Sequence, residues 1–250
     1  MAEKLDLKKK FKELYNPSKK EISLVTVPAF NFLMIDGKGD PNTSPDFQAA
    51  MEALFSVSYT LKFMFKQGKL GRKVPDYGVM PPEGLWWMDD MTQFTVENKS
   101  RWKWTIMLMQ PDFATKDDVQ KAMEAAGKKK PIAALSKLRF EKYDEGLSAQ
   151  ILYLGPYAEE GPTIQRIHQF IKEKGLVLRG KHHEIYLGDM RHTAPEKLKT
   201  IIRQPARHEF EDLLTQFSNG AAEAGLTPED GGQQIKAHRA QKRRSHANIG

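Results

Sequence analysis

Apolar residues recur along this chain in two periods, and the alternation between them sketches an architecture. Leu5, Leu7, Phe11, Leu14 and Tyr15 have the spacing of a short basic amphipathic helix over residues 5–15, closed by Asn16-Pro17. Residues 22–35 turn strand-like, and Pro28 splits them into two short strands or marks an edge. Ser44-Pro45-Asp46 supplies a capping hydroxyl, a proline at the first helical position and an acid in the first turn. Phe47, Met51, Leu54, Ser58, Leu61 and Phe65 then continue at helical spacing towards Gly68. Strands are predicted over 77–87 and 101–109, the second closed by Gln110-Pro111.

Thr115 reads as the cap of a helix over 116–126 stopped by Gly127, and Lys128-Lys129-Lys130-Pro131 as a linker. Residues 135–143 and 147–154 form two strands turning at Asp144-Glu145-Gly146. Pro162 opens a helix with Ile164, Ile167, His168 and Ile171 on one face, ended by Gly175. A strand over 179–187 and another over 198–203, before Gln204-Pro205, complete the pattern.

The same order of elements occurs twice. Strand 30–35, a long helix, strand 77–87 and a closing strand at Trp104–Pro111 match strand 147–154, a helix, strand 182–187 and residues 199–205. Both closing strands carry Thr-Ile and end in Gln-Pro, off by one residue, and Glu83 falls in the same part of its half as Glu184. Two β-α-β-β units predict an α+β fold: one antiparallel sheet, two long helices on one face, and a pocket on the other, concave face.

Composition narrows the function. With 40% hydrophobic and 28% charged residues the 250-residue chain has the profile of a soluble globular protein. It lacks cysteine, which excludes disulfides and thiolate metal sites. Neither a secretory signal nor an apolar run of about 20 residues is present, so a cytoplasmic location without membrane contact is expected. The net charge of +7 resides in blocks at Lys8–Lys12, Lys128–Lys130 and 236–244, not in a stripe interleaved with aromatics. Solvated ends and a linker account for it better than nucleic-acid binding does.

Candidate chemistry concentrates in residues 179–187, Arg-Gly-Lys-His-His-Glu-Ile-Tyr-Leu. On a strand His182, Glu184 and Tyr186 share one side, while His183, Ile185 and Leu187 share the other. A polar row on a one-sided sheet is often simply wet. Here four tryptophans (Trp86, Trp87, Trp102 and Trp104) with Tyr59, Tyr77, Tyr153, Tyr157 and Tyr186 exceed what two helices need in a core. Aromatic walls with a carboxylate at the floor suit flat, apolar and often cationic ligands. Glu83 is a second acid that could share the site or lie in an exposed turn. A metal set from His182, His183, Glu184 and His192 is disfavoured, because adjacent strand residues point oppositely and no His-Glu-x-x-His helix exists. His168 reads as a hydrogen-bonded core histidine, and Gly37-Lys38-Gly39 is too little for a phosphate loop.

Residues 32–41 (Phe-Leu-Met-Ile-Asp-Gly-Lys-Gly-Asp-Pro), Glu83-Gly84-Leu85-Trp86-Trp87, Trp102-Lys103-Trp104-Thr105, Gly155-Pro156-Tyr157 and Lys181–Leu187 together resemble the GyrI-like small-molecule-binding family, in its stand-alone bacterial form. The resemblance covers residues 1–206, with halves at about 22–126 and 131–206. It leaves 207–250 as an extension: a short helix carrying Phe210, Leu213, Leu214 and Phe217, then a basic disordered tail. It implies the duplicated SOUL/GyrI-like fold and a ligand pocket on the pseudo-two-fold axis, with a buried glutamate matching Glu184. Some stand-alone members hydrolyse cyclopropane-bearing toxic compounds, so the resemblance implies a detoxifying hydrolase with Glu184 and Tyr186 as catalytic residues. Trp86, Trp87, Trp102, Trp104, Glu83, Tyr59, Tyr157 and His182 would then contact the ligand. No cofactor or metal is expected. The alternative is a protein that sequesters or senses the same compounds without chemistry. No DNA-binding motif accompanies the ligand domain, which argues against a drug-sensing activator.

Overall fold

A computed structural model of the chain describes residues 4–91, 94–189 and 192–209. The expected C-terminal extension from Phe210 onward lies outside the described residues, as does Arg191 in the loop after the 179–187 strand. Among the described residues there are nine strands: β1 Ser23–Val27, β2 Phe30–Lys38, β3 Pro82–Trp87, β4 Lys103–Gln110, β5 Arg139–Tyr143, β6 Gly146–Leu154, β7 Leu176–Leu178, β8 His182–Tyr186 and β9 Lys199–His208. The α-helices of the described residues are α1 Leu7–Lys10, α2 Lys12–Tyr15, α3 Pro45–Lys66, α4 Lys116–Lys129 and α5 Gly161–Glu173. No described helix is long and apolar enough to cross a membrane.

The sheet is antiparallel throughout, in the order β1-β6-β9-β8-β3-β4-β2-β5, with β7 added beside β9. Its end pairs, β1–β6 and β2–β5, are joined in the chain, since β1 runs on into β2 and β5 into β6. Val27 lies opposite Gly146 and Phe30 opposite Tyr143, three residues on in each strand, so one register runs through the bend at Pro28-Ala29. The sheet therefore curls until β1–β2 and β5–β6 meet along a single bent hairpin. The repeat maps onto β2-α3-β3-β4 and β6-α5-β8-β9, and the seam between the halves is the β3–β8 pair.

Strand alternation sorts the side chains onto two faces. On the outer face Leu33, Ile35, Trp104, Ile106 and Leu108 receive the Ala50, Ala53, Leu54, Val57 and Leu61 face of α3. On the same face Ala149, Ile151 and Ile202 receive Ile167 and Ile171 of α5. Ser44 caps α3 by accepting from the Phe47 amide, ahead of Pro45. A Thr115–Asp118 capping box starts α4, which runs through Gly127 to Lys129. Of the lysines expected to form a linker, Lys128 and Lys129 lie in the last turn of that helix, where they complement its dipole, and Lys130 is its extended C-cap.

The inner, concave face is where the structure departs from expectation. It is not open for a ligand. Phe32, Met34, Leu85, Met107, Met109, Ile185 and Ile201 fill it together with Leu7, Leu14 and Tyr15 from α1 and α2. Residues 7–15 form two short helices broken at Phe11, and they plug the curled sheet.

Candidate active site on the outer face

β8 carries the row His182, Glu184, Tyr186, and its register fixes what faces that row. Gly84 lies opposite Glu184 and Trp86 opposite His182 on β3, while Thr200 lies opposite Tyr186 on β9. The Tyr186 hydroxyl donates to Glu184 Oε2 at 2.7 Å and accepts from the Trp86 indole N–H at 2.9 Å. Glu184 Oε1 stands 3.0 Å from His182 Nε2. One continuous line of hydrogen bonds thus runs from indole to phenol to carboxylate to imidazole.

The line is walled by rings. Trp86 stacks on Phe47 of α3 at 6.0 Å and meets Trp102 edge-on at 5.7 Å. Phe94 stacks on Trp102 at 4.6 Å and tilts over His182 at 6.1 Å, and Tyr157 meets Tyr186 edge-on at 5.5 Å. The Glu184 side chain is only 13% exposed. Burial alone would raise its pKa, but His182 and Tyr186 hold it below the usual carboxylate range, so it is ionised. Burial and the charge of Glu184 together push the Tyr186 hydroxyl well up, so it keeps its proton. The arrangement presents a desolvated, oriented carboxylate to anything that enters between the rings, and such a group accepts protons or pairs with a cation.

One acid at this place was missed by sequence reasoning. Glu160, 3% exposed, precedes α5 and meets Glu184. Burial, and then the charge of Glu184, raise its pKa well above the carboxyl range. An acid before a helix reads in sequence as a cap or a solvated turn, so only the run Glu159-Glu160-Gly161 beside Tyr157 hinted at it.

The candidate residues divide by face. Glu184, Tyr186, His182, Trp86, Trp102 and Tyr157 come together as described. Trp104 shares their face but is fully buried beneath Phe47, at 5.3 Å, as core. Tyr59, 46% exposed on α3, stacks with Phe55 and Phe63 of its own helix. Glu83 and Trp87 require correction: they lie on the inner face. Glu83 pairs with Ile185, not Glu184, and alternation turns its side chain through the sheet. There it takes the Tyr15 hydroxyl at 2.7 Å and stands 3.0 Å from His183 Nε2. Trp87 holds the Lys181 ammonium 3.4 Å from its ring centroid. The pocket expected on the side away from the helices is corrected likewise, since the Glu184 row shares its face with α3 and α5.

His182 and His183 do point oppositely, and among the described residues no group of three or more His, Asp or Glu side chains is arranged to hold a metal ion. His168 lines a cleft of about 430 Å³ between α5 and β7, and its Nε2 has no partner among the described residues.

Residues 20–207 match the model of the GyrI-like small molecule binding domain. The chain belongs to that family. An uncharacterised conserved protein from Listeria innocua is 39% identical, with a TM-score of 0.74, and the match covers 82% of this chain and 100% of that one. Two structures of a hydrolase from Listeria innocua match over the same shares, at 38% and 39% identity with TM-scores of 0.73 and 0.71. No curated protein matches this chain. Membership in the family makes small-molecule binding the coarse function of the domain.

Proposed function

We propose that this GyrI-like protein takes flat, apolar or cationic xenobiotics against the Trp86–Phe94–Trp102 rings and hydrolyses compounds that bear a strained cyclopropane. The observation that carries this reading is Glu184, almost fully desolvated yet ionised and fixed through both oxygens. A carboxylate with both lone-pair faces oriented is built to remove a proton from water. Tyr186, neutral and anchored by Trp86, keeps that carboxylate aimed, and the indoles shield positive charge as the ring carbon opens. The 38–39% identical Listeria hydrolases support a catalytic role over binding alone.

A second reading, sequestration without chemistry, uses the same residues. The two part in one experiment. Incubation with a cyclopropane-fused aromatic compound should give a product heavier by one water, and Glu184→Gln should bind the compound without converting it. Recovery of unaltered compound from the wild-type protein would leave sequestration as the function.

A further inference from the structure

We propose that the C-terminal extension docks on its own domain: residues 210–217 form an amphipathic helix that lies in the cleft between α5 and β7, antiparallel to α5. The inference is independent of the chemistry assigned to Glu184.

The cleft, about 430 Å³ in volume, is lined on the sheet side by apolar residues of β7. Leu176 and Leu178 share the sheet face that carries α5, and Ala206 of β9 lies opposite Leu178. Leu176 and Ala206 are buried in one cluster with Ile167 and Ile171 of α5. Leu178, next along that face of β7, is 46% exposed. The face that the helix covers elsewhere is therefore left bare at this edge.

The place where the described chain ends selects the occupant. His208 lies opposite Leu176, so β9 finishes beside the start of β7, at the C-terminal end of α5. At Glu209 the backbone has already passed from strand to helical conformation. In the sequence that follows, Phe210, Leu213, Leu214 and Phe217 fall at i, i+3, i+4 and i+7, which makes one apolar stripe on a helix. Gly220 then supplies a stop. A helix this short is marginal in water alone and needs its stripe packed against something. Phe210–Phe217 and the cleft-lining stretch Gln165–Lys172 span equal numbers of residues, about 10 Å of helix axis each. Starting beside Leu176, the segment covers the cleft by running back along α5.

Charge fits the same direction. Lys172 lines the cleft and Lys174 follows it as the C-cap of α5, while Glu211 and Asp212 stand in the first turn of the segment. An antiparallel course brings these acids past those lysines. Such pairs at an exposed rim set orientation more than strength. The other apolar stripe on this side of the molecule is Phe55-Tyr59-Phe63 on α3. That helix packs over β2 and β4, and β4 is three strand spacings from β9, about 14 Å along the sheet. A helix that begins at residue 210 reaches the α5–β7 cleft and not α3.

Because the chain has no cysteine, engineered thiols test the contact in the full-length protein. Gln165, exposed on α5, and Ser218, at the end of the stripe, are replaced together (Gln165→Cys with Ser218→Cys) and treated with a short bismaleimide. The pair should be joined within one molecule at least tenfold faster than Tyr59→Cys with Ser218→Cys, which sets the same segment against α3. Adding Leu213→Asp and Phe217→Asp should slow the cleft pair to the α3 rate. Equal rates for the two pairs, or a cleft pair indifferent to the aspartates, overturn the proposal. Cross-linked dimers in place of monomers overturn it too, and make a second copy the occupant. Hydrogen exchange gives a readout without thiols. Amides of 210–217 and of Leu176–Leu178 should exchange at least tenfold more slowly in the unaltered chain than in the Leu213→Asp/Phe217→Asp variant. Exchange of 210–217 at open-chain rates in the unaltered protein overturns the docking whatever the cross-links show.

Discussion

Gly84 lies directly across the β3–β8 seam from Glu184, and the Trp86 indole folds back over it. A Cβ at Gly84 would stand 2.6 Å from Trp86 Nε1 and 2.9 Å from its Cε2. That same Nε1 donates to Tyr186, which in turn donates to Glu184. The glycine thus makes room for the ring that anchors the phenol that aims the acid. Gly84→Ala should push the indole off Tyr186 at a cost of about 1–3 kcal/mol, the range of an overpacked core. A red-shifted tryptophan emission, a lowered Tm and at least a tenfold weaker hold on aromatic ligands would be seen together. Unchanged emission with full ligand affinity would show that the indole does not matter to the site.

Glu83 and Glu184 sit on neighbouring strands and point through opposite faces of the sheet. Their substitutions should therefore differ in kind. Glu184→Gln should keep the thermal stability and lower turnover by about two to four orders of magnitude. Glu83→Gln takes a charged partner from His183 in a fully buried place, and a cost of about 1–3 kcal/mol is expected with ligand affinity unaltered. Melting curves and ligand titrations of the two variants, run side by side, check the contrast.

The inner face holds a closed set of charges. His183 Nδ1 stands 2.7 Å from Glu145 Oε1, and Arg203 donates to Glu145 Oε2 at 3.0 Å and to Gln150 at 3.0 Å. Burial would raise the Glu145 pKa, but His183 and Arg203 bring it down to about 2. Burial would lower that of His183, but Glu145 and Glu83 carry it up to about 9. The depressed acid contributes stability that is present above its ordinary pKa of 4.5 and is lost as pH falls through about 2. The raised imidazole contributes stability that is present below 6.5 and is lost as pH rises through about 9. Urea unfolding should show a plateau between these ordinary values and a decline on each side. In His183→Gln the alkaline decline assigned to this residue should vanish, and its persistence there would place the titration elsewhere.

Much of the framework is legible in the residues. Ser44-Pro45-Asp46 does cap α3, Pro28 does separate two strands, and the repeated order of elements is the repeated fold. His182, Glu184 and Tyr186 share a face because a strand alternates, and that is visible in sequence. Which face carries the helices is a different matter, because it depends on strand register. Glu83 resembles Glu184 in its place within the half, but the β3–β8 pairing sets Gly84 opposite Glu184, and one residue of shift reverses a side chain. Glu160 is hidden for another reason: its burial comes from a turn of the chain before α5 that no local pattern encodes. The extent of the inner core was equally illegible, since the residues that complete it are over a hundred positions away, as Leu14 is from Ile185 and Ile201.

That distant segment yields a final prediction. The family match begins at residue 20, yet Tyr15 donates to Glu83, the Leu14 carbonyl accepts from Arg203 at 2.8 Å, and the Glu13 carbonyl accepts from Gln150 at 2.8 Å. The first two of these bonds end on charged groups that are at most 2% exposed. Removing the segment would open Glu83 and Arg203 to water and strip Leu7, Leu14 and Tyr15 from the inner core. Each fully buried apolar side chain contributes about 1.5–3 kcal/mol, so deletion of residues 1–15 should cost several kcal/mol, a large fraction of a domain's stability. Tyr15→Phe keeps the packing and removes only the hydroxyl, and should cost about 1–3 kcal/mol. Glu184 lies on the far face, so Tyr15→Phe should leave turnover per folded molecule unchanged. Loss of activity in a Tyr15→Phe protein that melts like wild type would mean that the two faces are coupled through the sheet.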